Sequence, residues 1–172
     1  MKPNITPNDT EHTLNADDFI VSKTDPKGRI LYCNRIFMRL AGYKEAELLG
    51  KQHNIIRHPD MPRTVFQLLW DTVQKGEEFF GYIKNLSRDG GFYWVFANVT
   101  PSYDPQGQLV GYYSVRRKPE AKALDVITPL YGEMLAAEKA AGPKQAMEAA
   151  KKILHQRLSA TGTTYEHFVL EI

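Results

Sequence analysis

The sequence predicts an α+β fold: a five-stranded antiparallel sheet carries short helices on one face and is followed by C-terminal helices. Segments rich in β-branched and aromatic residues occur as a pair near the N-terminus and as a group of three after Gly76. Short segments with helical spacing, each followed by a glycine, lie between these two groups. Strands that are joined by short turns form antiparallel pairs. Helices that follow one another in the chain pack together on one face of the sheet.

Composition and charge restrict the class of protein. Of the 172 residues, 24% are charged and 42% are hydrophobic, and the net charge is +2. These values are ordinary for a soluble globular protein, and the scattered Lys and Arg residues predict no nucleic-acid partner. No apolar run approaches the ~20 residues of a membrane span, so we expect no membrane insertion. A single cysteine excludes an internal disulfide and favours a cytoplasmic location.

The chain divides into three predicted regions. Residues 1–16 are polar and rich in Pro, Asn and Thr, which predicts a flexible or loosely docked arm. Residues 17–118 contain every predicted strand and form the main domain. Residues 119–172 are rich in alanine and form a helical extension.

The first two strands are predicted to form a hairpin. The runs "FIVSKT" and "RILYCN" flank the turn sequence "DPKG". In this turn Pro26 fixes φ and Gly28 accepts a left-handed conformation.

Three helices are predicted after the hairpin. Asn34 is placed to cap "RIFMRLAG", and a second short helix lies in "KEAELLG". The third, "PRTVFQLLWDTVQKG", has Pro62 in its first turn and Gly76 just past its end, and its apolar residues follow helical spacing.

The remaining strands lie in "EFFGYIKNL", "GFYWVFANVTPSYD" and "QLVGYYSVRRK", separated by the turn sequences "SRDGG" and "DPQG". Side chains alternate between the two faces of a strand. Tyr93 therefore shares a face with Val95 and Ala97, while Trp94 shares the other face with Asn98.

Two helices are predicted in the extension. Pro129 is expected to break or kink the first. The second carries an apolar stripe, formed by Met147, Ala150, Leu154 and Leu158. The stripe is either a docking or dimer surface or a face that packs on the domain itself. A last helical turn is expected at Thr163, with Glu166 completing a capping box.

The loop "HNIIRHPDMP" concentrates polar groups between the second and third helices. His53, His58 and Asp60 suggest a metal site, but no third ligand follows at a metal-binding spacing. The chain also has no nucleophile elbow, P-loop or dinucleotide-binding glycine motif. We therefore expect neither a metal centre nor an enzyme.

The segment "NRIFMRLAGYKEAELLG" matches the pattern N-x-x-F-x-x-x-x-G-Y-x-x-x-E-L-x-G, and with it residues 17–118 resemble a PAS domain. The segments "HNIIRHPDMPRTVFQLLWDTVQKGE" and "YIKNLSRDGGFYWVFANVTP" resemble the flavin-binding PAS domain of bacterial aerotaxis receptors. The resemblance implies a PAS fold, a non-covalently bound FAD, and a redox or oxygen sensor that signals through protein contacts. Receptors of this group continue into a membrane anchor and signalling domains, which we expect this chain to lack.

The resemblance directs attention to residues suited to a flavin. An asparagine side chain can both donate to and accept from the polar edge of the ring, and the candidates are Asn34, Asn85 and Asn98. Each of the three has the alternative role of capping a helix or turn or of facing solvent. Aromatic side chains suit the faces of the ring, although without the resemblance such residues are more often part of the core. The candidates are Phe66, Trp70, Phe79, Tyr93 and Trp94. Phe79 occupies a position at which receptors of this group usually carry tryptophan.

The charged end of FAD requires positive charge. Arg57 and His58 are the candidates, with Asp60 orienting them, binding a ribose hydroxyl or capping the helix near Pro62. The alternative is a rigid surface loop, and His53 is the residue least expected to contact the ligand.

Two alternatives to the flavin sensor stay open. Some PAS domains bind haem through one histidine, for which His58 is available. A ligand-free PAS domain would act as a dimerisation scaffold. The expected partner of the flavin form is a bacterial chemotaxis or kinase component, or a second copy of the chain.

Overall fold

The structure is a computed structural model and describes residues 4–172. Its sheet has five strands, which in chain order are β1 (Ile20–Thr24), β2 (Ile30–Cys33), β3 (Phe79–Leu86), β4 (Phe92–Tyr103) and β5 (Leu109–Arg117). Their order across the sheet is β2-β1-β5-β4-β3, and all neighbouring strands are antiparallel. The predicted α+β fold and its five-stranded sheet are therefore confirmed.

The helices between the hairpin and the last three strands are α1 (Arg35–Ala41), α2 (Glu45–Leu48) and α3 (Arg63–Val73), with a 3-10 turn at His53–Ile56 between α2 and α3. Each begins and ends where its local sequence allows. Asn34 caps α1 by accepting a hydrogen bond from the Phe37 N–H, and Gly42 ends that helix with φ 73°, a conformation that costs glycine little.

Two helices follow the sheet: α4 (Ala121–Thr161) and α5 (Tyr165–Glu171). The expected break at Pro129 is wrong, because α4 keeps helical backbone angles there and breaks at Gly142, where φ is 72° and ψ is 172°. Such angles are accessible almost only to glycine. The cap of α5 is Thr164, which accepts from His167 N at 3.3 Å, so the helix starts one residue later than predicted.

The extension packs on the main domain. Tyr131 of α4 donates to the main-chain oxygen of Tyr82 at 2.9 Å, which places α4 on the outer edge of β3. Tyr82 in turn donates to the main-chain oxygen of Val169 in α5 at 3.2 Å. In the predicted apolar stripe Ala150 and Leu154 are buried in the common core. The stripe thus packs on the domain's own core.

Part of the N-terminal arm is docked. The main chain of His12 donates to the Phe92 oxygen at 2.7 Å, and the main chain of Asn8 donates to the Gly90 oxygen at 2.8 Å. Leu14 is buried in the core. The first three residues of the predicted arm lie outside the described residues.

Candidate functional site

A cavity of about 230 Å³ lies between the sheet and the segment formed by the 3-10 turn and α3. Every strand except β2 contributes to the cavity or to its immediate rim. Most of its wall area is apolar, although about half of its lining residues carry polar or charged side chains. The lining residues whose chemistry matters below are Ser22, His53, Arg57, Phe66, Trp70, Asn85, Tyr112 and Arg116.

Asn85 is the polar residue that β3 presents to this cavity. Only 4% of Asn85 is exposed, and its side-chain Nδ2 has no hydrogen-bond partner among the described residues. Its main chain pairs with that of Arg57 in an isolated bridge, which ties the loop to β3. A buried amide N–H without a partner is costly, so this group of Asn85 does not stabilise the domain.

Aromatic side chains form the wall of the cavity opposite the sheet. Trp70 of α3 meets Tyr112 of β5 edge to face, with ring centroids 5.3 Å apart. Phe66, one turn earlier on α3, lies under the Arg57 guanidinium, whose central carbon is 4.2 Å from the ring centroid. Such surfaces suit the faces of a flat ring.

A hydrogen-bonded chain of three polar side chains crosses the floor of the cavity. Arg116 of β5 donates from Nη2 to Ser22 Oγ at 2.5 Å, and Ser22 Oγ is 3.2 Å from His53 Nε2. Because Ser22 accepts from Arg116, its own hydroxyl hydrogen is available to His53, which we assign as the acceptor. Burial, and then the Arg116 charge, lower the pKa of His53 to about 3. Burial lowers the pKa of Arg116 to about 10, so Arg116 is charged and His53 neutral at pH 7.

A second, more open pocket of about 360 Å³ lies on the other side of the loop. Arg57 lines both this pocket and the cavity, whereas His58 lines only the pocket. Its other charged lining residues are Arg63, Glu138 and Lys139. Basic groups therefore dominate the outer pocket.

His58 and Asp60 are engaged within the loop. His58 is 2% exposed, its Nδ1 accepts from the Asp60 N–H at 3.1 Å, and its ring packs edge-on against Phe92. Asp60 Oδ2 pairs with Lys84 Nζ at 2.8 Å. Partial burial raises the pKa of the Asp60 carboxyl, but its hydrogen bond and attraction to Lys84 outweigh this effect, so the pKa is lowered.

The first turn of α3 is capped by a residue from the extension. Glu138 of α4 accepts from the Arg63 N–H at 3.0 Å and from the Thr64 N–H at 2.9 Å, and Thr64 Oγ1 donates to it at 2.8 Å. Helix N-termini favour anions, and this carboxylate already occupies the position. The suggested role of Asp60 as the cap of this helix is therefore wrong.

Besides His58 and Asp60, the candidate residues Asn34, Phe79, Tyr93, Trp94 and Asn98 do not line the cavity. Asn34 uses its side chain at the start of α1, where Oδ1 accepts from Val21 N and Phe37 N and Nδ2 donates to Phe19 O. Phe79 is buried and stacks on Tyr165 of α5.

Trp94 and Asn98 lie on the opposite face of β4. Ala97 and Val99 line the cavity, so strand alternation turns the even-numbered residues away from it. Trp94 packs against Tyr131, with ring centroids 6.3 Å apart, and Asn98 Nδ2 is 3.3 Å from Glu78 Oε2.

Four predicted site residues are brought together at the cavity: Arg57, Phe66, Trp70 and Asn85. Sequence reasoning assigned His53 the weakest role and did not single out Ser22 or Arg116. For Arg116 one signal was present, since strand alternation puts it on the same face as Tyr112 and Ser114. The run "RRK" at the end of a strand is otherwise typical of a solvated terminus.

Neither a metal site nor a membrane span is found in the described part of the chain. No group of three His, Cys, Asp or Glu side chains among residues 4–172 has the arrangement to hold a metal ion. No helix within the same residues combines the length and apolarity needed to cross a membrane.

Comparison with known proteins identifies the fold family. A family model described as PAS fold matches residues 30–116, which is half of the chain. The chain belongs to the PAS family. The matched residues run from β2 to the end of β5, and the predicted resemblance to PAS domains is thereby confirmed.

Curated relatives of this PAS domain include bacterial receptor and regulatory proteins. The aerotaxis receptor of Escherichia coli K12 is 38% identical over 122 residues, which cover 70% of this chain and 24% of the receptor. The nitrogen fixation regulatory protein of Klebsiella oxytoca is 35% identical over 97 residues, 56% of this chain and 20% of that protein. The chain thus spans a quarter or less of the length of these relatives.

Solved structures share the PAS fold at low sequence identity. A PAS domain from Colwellia psychrerythraea superposes with a TM-score of 0.54 and 24% identity, covering 59% of this chain and 86% of that one. The light-state structure of the LOV domain of the blue-light photoreceptor Aureochrome1 superposes with a TM-score of 0.57 and 22% identity, covering 66% of this chain and 90% of that one.

Proposed function

We propose that this PAS domain binds FAD non-covalently and acts as a redox or oxygen sensor in bacterial signal transduction of the aerotaxis or energy-taxis type. The observation that carries the proposal is the buried Asn85 amide, whose Nδ2 has no hydrogen-bond partner within residues 4–172, in a residue that lines a cavity with aromatic side chains. An isoalloxazine ring has a polar edge with alternating donors and acceptors, which an amide complements. The relation to the aerotaxis receptor, at 38% identity, supports the same reading.

The size of the cavity suits part of FAD rather than all of it. Its 230 Å³ is below the ~300–1,000 Å³ typical of complete ligand sites. The ring would lie inside, and the diphosphate would pass Arg57 into the basic outer pocket, beside Arg63 and Lys139. In this arrangement His58 keeps the loop folded and does not contact the ring.

The chain's own residues provide a route from the ring to the rest of the domain. Bound flavin would supply reversible electron transfer. Asn85 would hold the edge of the ring, and because its main chain pairs with Arg57, a shift of β3 would reach the loop. Phe66 and Trp70 would exclude water and connect the ring to α3, which Glu138 joins to α4. The proposed output is a protein contact, with a cytoplasmic chemotaxis or kinase component or with a second copy of the chain.

The test is the visible spectrum of the purified 172-residue protein, followed by mass analysis of the cofactor released on denaturation. We expect a flavin spectrum that bleaches on reduction, and FAD as the released compound. Asn85→Ala should weaken FAD binding about 10- to 100-fold, because one hydrogen bond to a buried ligand edge is lost. Asn98→Ala is the matched control, since Asn98 lies on the other face of the sheet, and it should retain wild-type affinity. Colourless protein that takes up no FAD on reconstitution, or equal losses in the two variants, would refute the proposal.

A further inference from the structure

A buried arginine lines the cavity and has no counter-ion in the part of the chain that the structure describes. Arg116 lies on β5, the central strand of the sheet, between β1 and β4, and is 3% exposed. Its Nε and Nη1 have no hydrogen-bond partner among the described residues. No carboxylate within residues 4–172 forms an ion pair with it. The cavity therefore contains an uncompensated positive charge.

The surroundings of Arg116 recover only part of the cost of burying that charge. The guanidinium lies over the Phe37 ring, with its central carbon 4.7 Å from the ring centroid, and Nη2 donates to Ser22 Oγ. The stabilisation from a cation–π contact and one hydrogen bond is much smaller than the free-energy cost of removing a cation from water. An arginine kept under these conditions is a candidate for function rather than for stability.

The titratable groups near Arg116 do not neutralise its positive charge. His53 is neutral at pH 7 and is joined to Arg116 only through Ser22. Burial raises the pKa of the Cys33 thiol and of the Tyr93 hydroxyl, so both are also neutral. With His53, Cys33 and Tyr93 uncharged, no described residue near Arg116 cancels its positive charge.

We propose that Arg116 makes the cavity bind the reduced form of its flavin more tightly than the oxidised form. This inference rests on the proposed function. The oxidised ring is neutral, and two electrons from an external reductant with one proton from solvent convert it to an anion. Arg116 attracts that added charge inside a cavity where screening by water is weak. Tighter binding of the reduced form raises the midpoint potential of the bound flavin above that of free FAD.

Three substitutions and one wild-type measurement test the proposal. The midpoint potential is measured on the 172-residue protein reconstituted with FAD, by stepwise reduction against a reference dye. Wild type should lie above free FAD. Arg116→Met should lower the ratio of affinities for reduced and oxidised flavin at least tenfold, which is about 30 mV more negative for a two-electron couple. Arg116→Lys keeps the charge and should retain most of the wild-type potential.

Arg117→Met is the matched control, because Arg117 is the next residue on β5, is exposed, and lies on the other face of the sheet. It should leave the potential unchanged. Arg116→Met is expected to fold, since replacing a buried charge by an apolar side chain of similar length is often neutral or stabilising. If the Arg116→Met variant does not fold, the wild-type measurement still tests the inference. A wild-type midpoint potential at or below that of free FAD would overturn it.

The outcomes separate this inference from the proposed function. If wild type takes up no FAD, both fail. If wild type binds FAD and Arg116→Met has the same midpoint potential as wild type and Arg117→Met, the flavin function stands and only the role of Arg116 is wrong.

Discussion

At the scale of single residues, His53 couples the cavity to the stability of the fold. Its ring stacks on Phe37 with centroids 5.6 Å apart, and its Nε2 meets Ser22. Burial and the nearby Arg116 charge hold its pKa at about 3, against about 6.5 in an unfolded chain. Between these two values the unfolded chain binds a proton that the folded chain does not. Stability contributed by neutral His53 is therefore complete above pH 6.5 and is lost as pH falls towards 3.

The prediction that follows concerns acid unfolding. For wild type we expect the free energy of unfolding to fall with pH in this range, with His53 contributing at most about 1.4 kcal/mol per pH unit. His53→Gln should be less stable at pH 7, because it loses ring packing, but its stability should depend less on pH. Urea unfolding of the apoprotein between pH 7 and pH 4.5 measures both effects. His155→Gln, at an exposed position of α4, should keep the wild-type slope; equal slopes for both variants would contradict the prediction.

The three asparagines show what residue type alone predicts about a site. Asn34 caps α1, Asn85 faces the cavity, and Asn98 faces Glu78 on the other side of the sheet. Strand alternation correctly grouped Trp94 with Asn98, but alternation does not say which group faces inward. Both faces of β4 carry aromatic residues, because helices from two parts of the chain cover this strand, so hydrophobicity did not decide between them.

At the scale of elements, α3 is shared between the cavity and the extension. Its middle supplies Phe66 and Trp70 to the cavity wall, while its first turn is held by Glu138 of α4. Glu138 is 6% exposed, so its carboxylate is removed from water and depends on the α3 N–H groups and Thr64 for compensation. Movement of α3 and movement of α4 are therefore coupled at this contact.

We predict that Glu138→Ala destabilises the protein by about 2–3 kcal/mol, because two N–H groups and a buried hydroxyl lose a charged acceptor. Glu133→Ala is the control, since Glu133 is exposed on the same helix and only approaches Arg157 at 3.9 Å; it should change stability by less than about 0.5 kcal/mol. Urea unfolding gives the two values. Hydrogen exchange should show faster opening of the Arg63 and Thr64 amides in Glu138→Ala alone. Unchanged protection there would mean that Glu138 does not hold the start of α3.

Local sequence signals predicted the helices and strands, but they did not predict the long-range contacts between them. The caps at Asn34 and Gly42 and the Gly76 stop act within a few residues, so they can be read along the chain. Glu138 and Thr64 are 74 residues apart, and no periodicity relates them. For the same reason Pro62 and Asp60 looked sufficient to start α3. At Pro129 tertiary packing prevailed over local preference, because Ile127, Leu130 and Tyr131 are buried on the face of α4 that meets the core.

At the scale of the whole molecule, the extension and the PAS domain share one core. Ile127, Leu130 and Met134 of α4 and Val169 of α5 belong to the same buried cluster as Phe79 and Ile83 of the sheet. Packing on the sheet stabilises α4 and α5. In turn, α4 covers the β3 edge of the sheet, where main-chain groups would otherwise be unpaired. The division at residue 119 therefore marks a change of secondary structure within a continuous core.

The last prediction is that the molecule unfolds in one cooperative step. In a Trp94→Phe background, which removes the indole that packs against Tyr131 of α4, tryptophan fluorescence follows the PAS domain through Trp70. Far-ultraviolet circular dichroism is dominated by the 41 residues of α4, so the two signals should change at the same urea concentration. Met134→Ala removes a fully buried side chain of α4 and should lower stability by about 2–5 kcal/mol in both signals together. Leu170→Ala, at a position that is 49% exposed, should have little effect. If Met134→Ala shifted the circular dichroism transition and left the fluorescence transition in place, the extension would be a separate folding unit. Signals from the cavity would then have to reach it through the α3 contact alone, rather than through the common core.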